Sequence, residues 1–268
     1  MAEPRKLTPA EEARLAQVRD QFKQKQAISN SLNSIKHRIG VYSGKGGVGK
    51  TTVTTNLALT LAKNGRKVAI LDCDIDCPNV TRVLRISERP SSDSEGKMIP
   101  PQKHGVSVMS MGFFQENEDE AIIWRGPMIH NAINQFISKT NWGDIDYLIC
   151  DLPPGTSDAP LTVMQTLDLD GFVIVTTPQE LAKLDAIRSI NMIKKLNHNI
   201  YGVIENFTGE FFGTGAGKEI SKNMEIDFLG NIEMRKSYSD PNTIAYIEDL
   251  EANHEYNKIS NNIVQKLK

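Results

Sequence analysis

Residues 44–51 read G-K-G-G-V-G-K-T, a glycine-rich segment that contains two lysines. The spacing G-x-x-x-x-G-K-[ST] is typical of a loop whose backbone amides converge on phosphate oxygens. In such a loop Lys50 reaches the β- and γ-phosphates of a nucleotide, and the Thr51 hydroxyl is a ligand of Mg²⁺. The residues of this segment that are predicted to contact nucleotide are Gly44, Lys45, Gly46, Gly47, Val48, Gly49, Lys50, Thr51 and Thr52.

Lys45 is the second lysine of the loop, and binding one nucleotide does not require it. A surplus positive charge at this position indicates that two copies of the chain share two nucleotides across an interface. We therefore expect a homodimer in which Lys45 acts on the nucleotide of the opposite subunit, as a cation supplied in trans does in other phosphoryl-transfer proteins. Lys45 and Lys50 are the two cations assigned to catalysis.

Three carboxylates, Asp72, Asp74 and Asp76, follow the apolar run Val68–Leu71. Ligands bind at the carboxyl ends of the strands in an open α/β sheet, so these acids are expected beside the phosphate loop. At least one of them is expected to polarise the attacking water or to join the Mg²⁺ shell, and the spacing alone does not say which carboxylate meets the water. A solvated acidic turn is the alternative interpretation of the same residues.

A second apolar strand, Tyr147–Cys150, also leads into an acid. Asp151 has the position of a carboxylate that binds the metal ion through water. Thr51, Asp72 and Asp151 thus form the predicted Mg²⁺ group. Gly155 follows two prolines, and its amide is expected near the γ-phosphate, where it would sense whether that phosphate is present.

Short apolar runs alternate with helical patterns from Ile39 onward, which is the pattern of a parallel sheet covered on both faces. Strands are predicted at residues 39–43, 68–72, 106–111, 147–151, 171–176, 200–205 and 228–232, and helices at residues 53–63, 128–139, 159–167, 180–196 and 254–266. We therefore predict an α/β fold of the P-loop NTPase type, a three-layer sandwich with a seven- or eight-stranded, mostly parallel sheet. Residues 87–103, rich in Ser, Pro and charge, are predicted to be a surface loop.

The first 35 residues are polar and charged. Thr8-Pro-Ala-Glu11 has the form of a capping box and predicts a helix from Pro9 to about Lys25. The apolar stripe of this helix is thin, so it could pack on the domain, pack on a partner or remain mobile. We interpret residues 1–35 as an accessory helical arm and residues 36–268 as a single ATPase domain.

The chain has 268 residues, a formal net charge of −2 and three cysteines. Near-balanced charge without a dense Lys/Arg tract does not favour nucleic acid as a partner. No apolar run is long enough to span a bilayer and the first residues lack an apolar signal core, so we expect a cytoplasmic protein with no membrane partner. The odd number of cysteines argues against a disulfide framework.

The doubled-lysine loop, followed by LDCDIDCPN and DLPPGTSD, resembles the deviant-Walker ATPases of the MinD and ParA families. DLPPGTSD, TTPQELAKLDAIRSI and GVIENFTG are most similar to the Mrp/ApbC subgroup, the iron–sulfur cluster carrier ATPases. The resemblance extends from about Lys36 to the neighbourhood of Asp240. It implies slow, Mg²⁺-dependent ATP hydrolysis by a homodimer that assembles or transfers iron–sulfur clusters together with a client or scaffold protein.

The same resemblance assigns roles to individual residues. It implies that Lys45 contacts nucleotide across the dimer, that Asp74 is the switch acid associated with hydrolysis, and that Asp151 is the metal-linked acid. It also implies that Asn206 reads the adenine edge, which suits an amide that donates and accepts at once. A capping or turn asparagine after a strand is the alternative for Asn206.

The chain departs from the Mrp/ApbC pattern in its cysteines. Members of that subgroup carry a C-x-x-C pair after the segment that matches Glu205-Asn206-Phe207, and two such pairs in a dimer hold a bridging [4Fe-4S] cluster. This chain reads NFTGEFFGTGAG there and has no cysteine. Because thiolates hold such clusters, no iron–sulfur ligand is assigned. Cys73, Cys77 and Cys150 are interpreted as small buried hydrophobes. If Cys77 is exposed beside the nucleotide, the alternative is a cluster or metal ion shared across a dimer.

Two other functions fit the core motifs. A positioning or partitioning ATPase of the ParA or MinD type would need a basic face for DNA or an amphipathic membrane helix, and the sequence shows neither clearly. A nucleotide-binding regulator would bind a protein partner through the N-terminal helix or through Phe211-Phe212, a pair that could equally belong to the core.

Overall fold

The computed structural model describes residues 8–115, 126–238 and 243–267. The strands in these ranges are β1 Ile35–Tyr42, β2 Val68–Asp72, β3 Ser91–Ser92, β4 Met98–Ile99, β5 Gln102–Lys103, β6 Val106–Ser110, β7 Ile145–Asp151, β8 Gly171–Thr176, β9 Ile200–Thr208 and β10 Phe228–Glu233. The α-helices are α1 Pro9–Asn33, α2 Lys50–Lys63, α3 Val80–Val83, α4 Gly126–Lys139, α5 Asp158–Thr166, α6 Glu180–Lys195, α7 Ala216–Met224, α8 Ala245–Glu248 and α9 Leu250–Lys266.

The main sheet has eight strands in the order β10-β9-β8-β1-β7-β2-β6-β5. All neighbouring pairs are parallel except β5 and β6. β1 therefore lies in the middle of the sheet, between two strands that follow much later in the chain. The prediction of a seven- or eight-stranded, mostly parallel sheet is confirmed.

Helices cover both faces of this sheet. In β7, Tyr147 and Ile149 belong to the hydrophobic cluster that α2 and α9 complete, whereas Leu148 and Cys150 belong to the cluster of α4, α5 and α6. Successive residues of a strand point to opposite faces, so a strand buried on both sides is apolar throughout. This arrangement is the predicted three-layer sandwich.

Helix α1 begins as predicted but ends later. Thr8 Oγ1 accepts a hydrogen bond from the Glu11 amide at 3.3 Å, and Glu11 Oε2 accepts one from the Thr8 amide at 2.8 Å, which completes the capping box. The helix then continues to Asn33 instead of stopping near Lys25. Its last turns are polar, so the sequence pattern alone did not extend it that far.

The end of α1 is held by packing. Leu32 is buried and joins the cluster of α4, while Leu15, Val18 and Phe22 are exposed. Ser34 is the one residue between α1 and β1. The division into an arm and an ATPase domain stays a prediction, since the arm runs directly into the central strand.

Several shorter elements were not predicted, among them α3 and α8. Residues 87–103 are not only loop, because β3 and β4 pair there as a small antiparallel sheet and β5 pairs with β6. Helix α7 was not predicted, since glycines precede it and Ile220 is its one fully buried large side chain. Within the described residues, no helix combines the length and the apolar character needed to cross a membrane.

Candidate nucleotide-binding site

The glycine-rich loop joins β1 to α2 at the carboxyl edge of the sheet and borders a cleft of about 480 Å³. The loop residues that line this cleft are Lys45, Gly46, Gly47, Gly49, Lys50, Thr51 and Thr52. Gly49 has φ +82°, and a Cβ there would lie 2.2 Å from Asn206 Nδ2, so only glycine fits. Gly44 does not line the cleft, because it packs against α6, where a Cβ would lie 2.2 Å from the Asp185 carbonyl oxygen.

Lys50 lies at the floor of the cleft as the first residue of α2. Its Nζ is 2.8 Å from Asp151 Oδ1 and 3.5 Å from Asp74 Oδ2, and the residue is 6% exposed. Burial acts to lower the pKa of Lys50, but the charges of Asp151 and Asp74 outweigh it and raise the pKa above the ordinary value. The first turn of α2 has no side-chain cap, which leaves its amides available to an anion.

Asp151 is fully buried at the carboxyl end of β7. Besides Lys50, it accepts hydrogen bonds from Thr51 Oγ1 at 2.7 Å and from Thr54 Oγ1 at 2.8 Å. Thr54 was not predicted as part of the site. Its position one helical turn after Thr51 places both hydroxyls on the same side of α2, and that spacing was the available signal.

Asp74 lies in the loop after β2 and lines the cleft. The residue is 9% exposed. Burial raises the pKa of Asp74 to about 6, although the nearby ammonium of Lys50 opposes the rise. The carboxyl group therefore changes its protonation state close to neutral pH, which suits a group that handles a water molecule.

Asp72 does not line the cleft. Its carboxylate accepts hydrogen bonds from Ser110 Oγ at 2.9 Å, from the Val80 amide at 3.3 Å and from the Asp74 amide at 3.2 Å. Burial and the charge of Asp151 raise the pKa of Asp72 well above its usual range. These contacts tie β2 to β6, to α3 and to the Asp74 loop, while the predicted role of Asp72 in the Mg²⁺ shell stays a prediction.

The amide and the carbonyl of Gly155 both form hydrogen bonds at the end of β1, with Ser43 and Tyr42. Its amide donates to the Ser43 carbonyl at 3.0 Å, and its carbonyl accepts a hydrogen bond from the Tyr42 hydroxyl. Gly155 has φ +87°, a conformation that favours glycine. The amide expected to sense a γ-phosphate is therefore already bonded here, and sensing would require it to leave Ser43.

Asn206 ends up beneath the phosphate loop rather than in the open cleft. Its Nδ2 donates to the Val48 carbonyl at 2.8 Å, and its Oδ1 is buried without a partner among the described residues. The Val48 carbonyl fixes the orientation of the amide, because the opposite one would place two oxygens together. Phe207, at φ +58°, brings its ring against Gly49.

A phosphate-type loop, a buried lysine and two strand-end acids thus meet at one edge of the sheet. The family model for ParA-type proteins described as "NUBPL iron-transfer P-loop NTPase" matches residues 34–268. The chain belongs to the NUBPL family of iron-transfer P-loop NTPases.

Other members resemble this NUBPL-family protein over most of its length. A protein of Methanocaldococcus jannaschii named iron-sulfur cluster carrier protein is 41% identical over 255 residues, which are 90% of this chain and 88% of the relative. The iron-sulfur cluster transfer protein NUBPL of Dictyostelium discoideum is 38% identical over 263 residues, 91% of this chain and 81% of the relative.

Solved structures confirm the fold of the NUBPL-family protein. A nucleotide-binding protein of Archaeoglobus fulgidus in complex with ADP has a TM-score of 0.71 and 34% identity, and the match covers 86% of this chain and 93% of that one. The cell division ATPase MinD of Pyrococcus furiosus has a TM-score of 0.68 at 22% identity, with 87% and 99% coverage. The resemblance to Mrp/ApbC and MinD proteins is therefore confirmed.

The cysteines of the NUBPL-family protein lie in two environments. Cys73 and Cys150 are buried, and burial, together with the neighbouring Cys150, raises the pKa of the Cys73 thiol well above its ordinary value. Cys77 is exposed at the rim of the cleft, so its interpretation as a buried hydrophobe was wrong. Among the described residues, no group of three or more His, Cys, Asp or Glu side chains is arranged to hold a metal ion.

Two surface features of the NUBPL-family protein lie near this edge of the sheet. Lys45 Nζ is 3.3 Å from Gln179 Oε1. Phe211 is 98% exposed and Phe212 is 46% exposed, at the tip of a loop closed by two hydrogen bonds between Gly209 and Gly213. Of the two interpretations of the phenylalanine pair, the structure supports the surface patch.

Proposed function

We propose that this protein is a homodimeric, Mg²⁺-dependent ATPase whose slow cycle serves the assembly or transfer of iron–sulfur clusters. The observation that carries the proposal is the buried ammonium of Lys50, held between Asp151 and Asp74 under a glycine-rich loop. The names of the relatives as cluster carrier and transfer proteins support the cellular process. Residues 36–268 would form the ATPase domain and residues 1–35 an accessory arm.

Hydrolysis requires an in-line water, a neutralised phosphate and little covalent chemistry by the protein. Lys50 is already charged at the floor of the cleft, so phosphate oxygens can replace the carboxylates as its partners. Release from Lys50 frees Asp74 to accept a hydrogen bond from the attacking water. The same lysine then stabilises the charge on the transferred phosphoryl group.

The polar groups around Asp151 fit a Mg²⁺ ion. Thr51 and Asp151 offer hard oxygen ligands 2.7 Å apart, the kind that Mg²⁺ prefers. Mg²⁺ is usually bound by one or two protein groups together with substrate phosphates and water. Thr51 would hold the ion directly and Asp151 through water, and the ion would neutralise phosphate charge.

Asn206 is buried and does not line the cleft, so it would read the base only if nucleotide binding exposed its amide, and in that case it favours ATP over GTP. One of its two N–H donors is used by Val48, and its acceptor Oδ1 has no partner among the described residues. A buried acceptor without a partner favours a ligand that donates. The exocyclic amino group of adenine donates, whereas the corresponding oxygen of guanine accepts and would face Oδ1 unfavourably.

We expect Asn206→Ala to lose most of the preference for ATP over GTP. Removing a buried polar contact costs about 1–3 kcal/mol, so affinity for ATP should fall by about tenfold or more, while affinity for GTP should stay the same or rise because the opposing oxygen is removed. Competition of each nucleotide against a fluorescent ATP analogue measures both. Asn231→Ala, an exposed amide on β10, is the matched control. Unchanged selectivity in Asn206→Ala would remove the base-reading role.

Lys45 supports a dimer because its ammonium contacts a neutral amide at the rim of the cleft. Lys50 has two carboxylate partners, but no carboxylate pairs with Lys45 among the described residues. A cation at the rim can reach a nucleotide bound by a second copy. In that arrangement Lys45 stabilises the developing phosphoryl charge in trans.

Mixed dimers test the trans role of Lys45. We expect Lys45→Ala to bind ATP nearly as well as the wild type but to hydrolyse it far more slowly. A heterodimer of Lys45→Ala with Asp74→Ala keeps both groups at one of its two sites, and it should regain activity that neither parent homodimer has. Phosphate release from differently tagged, co-purified subunits measures this. If the heterodimer stays as inactive as its parents, Lys45 acts within its own subunit.

The cysteines of this chain do not fit an iron–sulfur cluster on their own. Such clusters are usually held by four cysteine thiolates. Cys73 and Cys150 are buried, so Cys77 is the exposed thiol of each chain and a dimer offers two. We therefore propose that a client or scaffold protein supplies the remaining ligands or carries the cluster, and that the ATPase drives the exchange.

Iron and sulfide analysis tests this division of labour. After purification without oxygen and reconstitution with iron and sulfide, we expect far less than one cluster per dimer, because four exposed thiolates are not available. Cys77→Ser should give the same low content. A stoichiometric cluster in the wild type that disappears in Cys77→Ser would instead make this chain a cluster-binding protein.

A further inference from the structure

A groove lined by three arginines shares no lining residue with the nucleotide cleft and has no role in the proposed hydrolysis. Arg82, Arg85 and Arg89 line it together with Thr81, Ser87 and Gly112, and its volume is about 460 Å³. No carboxylate is among the described residues that line it. Arg82 makes a contact of its own, so the positive charge open to a ligand in the groove is that of the exposed Arg85 and Arg89.

The backbone of α3 holds Arg85 in an unfavourable conformation. The Ile86 amide donates to the Thr81 carbonyl at 2.9 Å, and the Arg85 amide donates to the Arg82 carbonyl at 3.1 Å. This pattern is the Schellman ending of a helix, in which glycine normally occupies the left-handed position. Arg85 occupies it with φ +53°. A strained residue of this kind motivates a search for a function of its side chain.

Positive charge also extends to the turn between β5 and β6. Burial, followed by the charges of Lys103 and Arg85, lowers the pKa of His104. Arg85 thus lies close enough to influence a residue of this turn. The positive region covers the groove and its neighbouring edge, although Glu88 is exposed nearby.

The groove is connected to the catalytic loop by buried hydrogen bonds. Asp72 accepts from the Val80 amide at the start of α3 and from Ser110 Oγ, which itself accepts from the Gly112 amide at 3.1 Å. Val80 and Gly112 thus join the two walls of the groove to one carboxylate. That carboxylate also accepts from the Asp74 amide. A shift of α3 would therefore be transmitted through Asp72 to the backbone of Asp74.

We propose that this arginine groove docks an acidic segment of a protein partner and that docking alters turnover at Asp74. The charge of the groove is complementary to carboxylate side chains. Its lining does not favour single-stranded nucleic acid, because base stacking needs an exposed ring and Phe113, the aromatic residue of the lining, is 5% exposed. The effect on turnover rests on the proposed ATPase function, whereas docking itself does not.

Binding is tested with fluorescein-labelled hexaglutamate and the full-length protein at low ionic strength. We expect saturable anisotropy that Arg85→Gln/Arg89→Gln weakens by about tenfold, since each exposed ion pair contributes modestly. Lys222→Gln/Lys258→Gln removes two exposed lysines from α7 and α9 and should bind like the wild type. Equal binding by all three proteins would show that the groove is not the docking site. Tighter, arginine-dependent binding of labelled oligothymidylate would reassign it to nucleic acid.

Arg85→Gly separates a binding role from a structural one. Glycine relieves the left-handed strain, so this variant should melt at a higher temperature than the wild type. It should nevertheless bind hexaglutamate more weakly, because one groove charge is lost. A more stable protein with undiminished peptide affinity would show that Arg85 is not part of the docking site.

Coupling is tested by ATP hydrolysis with and without saturating hexaglutamate. We expect kcat to change by about fivefold in the wild type and not in Arg85→Gln/Arg89→Gln, a coupling of ordinary size. Basal turnover should be equal in the two proteins. Basal hydrolysis that the bound peptide does not alter would refute the coupling and leave the ATPase proposal intact. Absence of basal hydrolysis would instead refute the proposed function.

Discussion

Lys50→Ala is expected to abolish ATP binding and to lower the free energy of unfolding by about 3–5 kcal/mol. Lys50 is 6% exposed and ion-paired with Asp151 and Asp74, so its removal leaves buried carboxylates without a compensating cation. The same change removes the cation that meets the phosphates. Titration calorimetry with ATP and urea unfolding measure the two effects separately.

A double substitution separates the effect of Lys50 on stability from its effect on ATP binding. Lys50→Ala/Asp151→Asn removes the buried charge that alanine leaves uncompensated, so it should recover part of the lost stability but no ATP affinity. Lys63→Ala, an exposed lysine at the end of the same helix, should change neither quantity. Near-wild-type ATP affinity in folded Lys50→Ala protein would show that the cleft is not the nucleotide site.

Asp74→Asn is expected to slow hydrolysis by about a hundredfold or more while ATP binding persists, a loss typical of removing a group that accepts a proton or a hydrogen bond from water. The asparagine keeps the size of the side chain but cannot carry its negative charge. Single-turnover phosphate release and equilibrium binding of ATP measure the two properties.

The pH dependence of kcat/KM tests the role of Asp74 in hydrolysis. Burial raises the pKa of Asp74 to about 6, so its ionised fraction increases as the pH rises through that value. If the ionised form accepts from water, kcat/KM should rise with pH, with a midpoint near 6, and then level off, because kcat/KM reports groups of the free enzyme. Asp74→Asn should lack this rise, whereas Asp76→Asn should keep it. A rise that persists in Asp74→Asn would assign it to another group.

The parts of the site that local sequence specifies come together in the structure. The phosphate loop, the apolar strand before it and the acids after Leu71 and Cys150 are all signalled by residues that are contiguous in the chain. Because the sheet is parallel, the carboxyl ends of its strands meet at one edge. Lys50, Asp74 and Asp151 accordingly meet at this edge, where Lys50 and Asp74 line the cleft and Asp151 is buried beneath it.

The directions in which the side chains point at the strand ends could not be predicted in the same way. Asp72 and Asp74 have equivalent spacing, yet Asp72 turns toward Ser110 and Asp74 toward Lys50. The choice depends on where β6 and α3 lie, and these contacts are distant in sequence. The hydrogen bond from the Gly155 amide to the Ser43 carbonyl likewise depends on tertiary structure.

The exposure of individual side chains also could not be predicted from the local sequence pattern. Cys77 and Cys73 share an apolar, acidic context, but the loop after β2 keeps Cys73 buried and carries only Cys77 to the rim. Conversely, the polar end of α1 stays helical because Leu32 packs into the cluster of α4. In both cases tertiary packing, rather than residue type, decides the outcome.

The central position of β1 has a consequence for the order in which the protein can fold during synthesis. Its neighbours are β7 and β8, so the strand that carries the phosphate loop has no partner in the sheet until β7 has left the ribosome and lacks its second partner until β8 follows. Pairings between distant segments form late because a long loop must close first. The nascent chain should therefore acquire affinity for nucleotide only after most of it has been translated, and until then the apolar β1 is a segment that chaperones would need to shield.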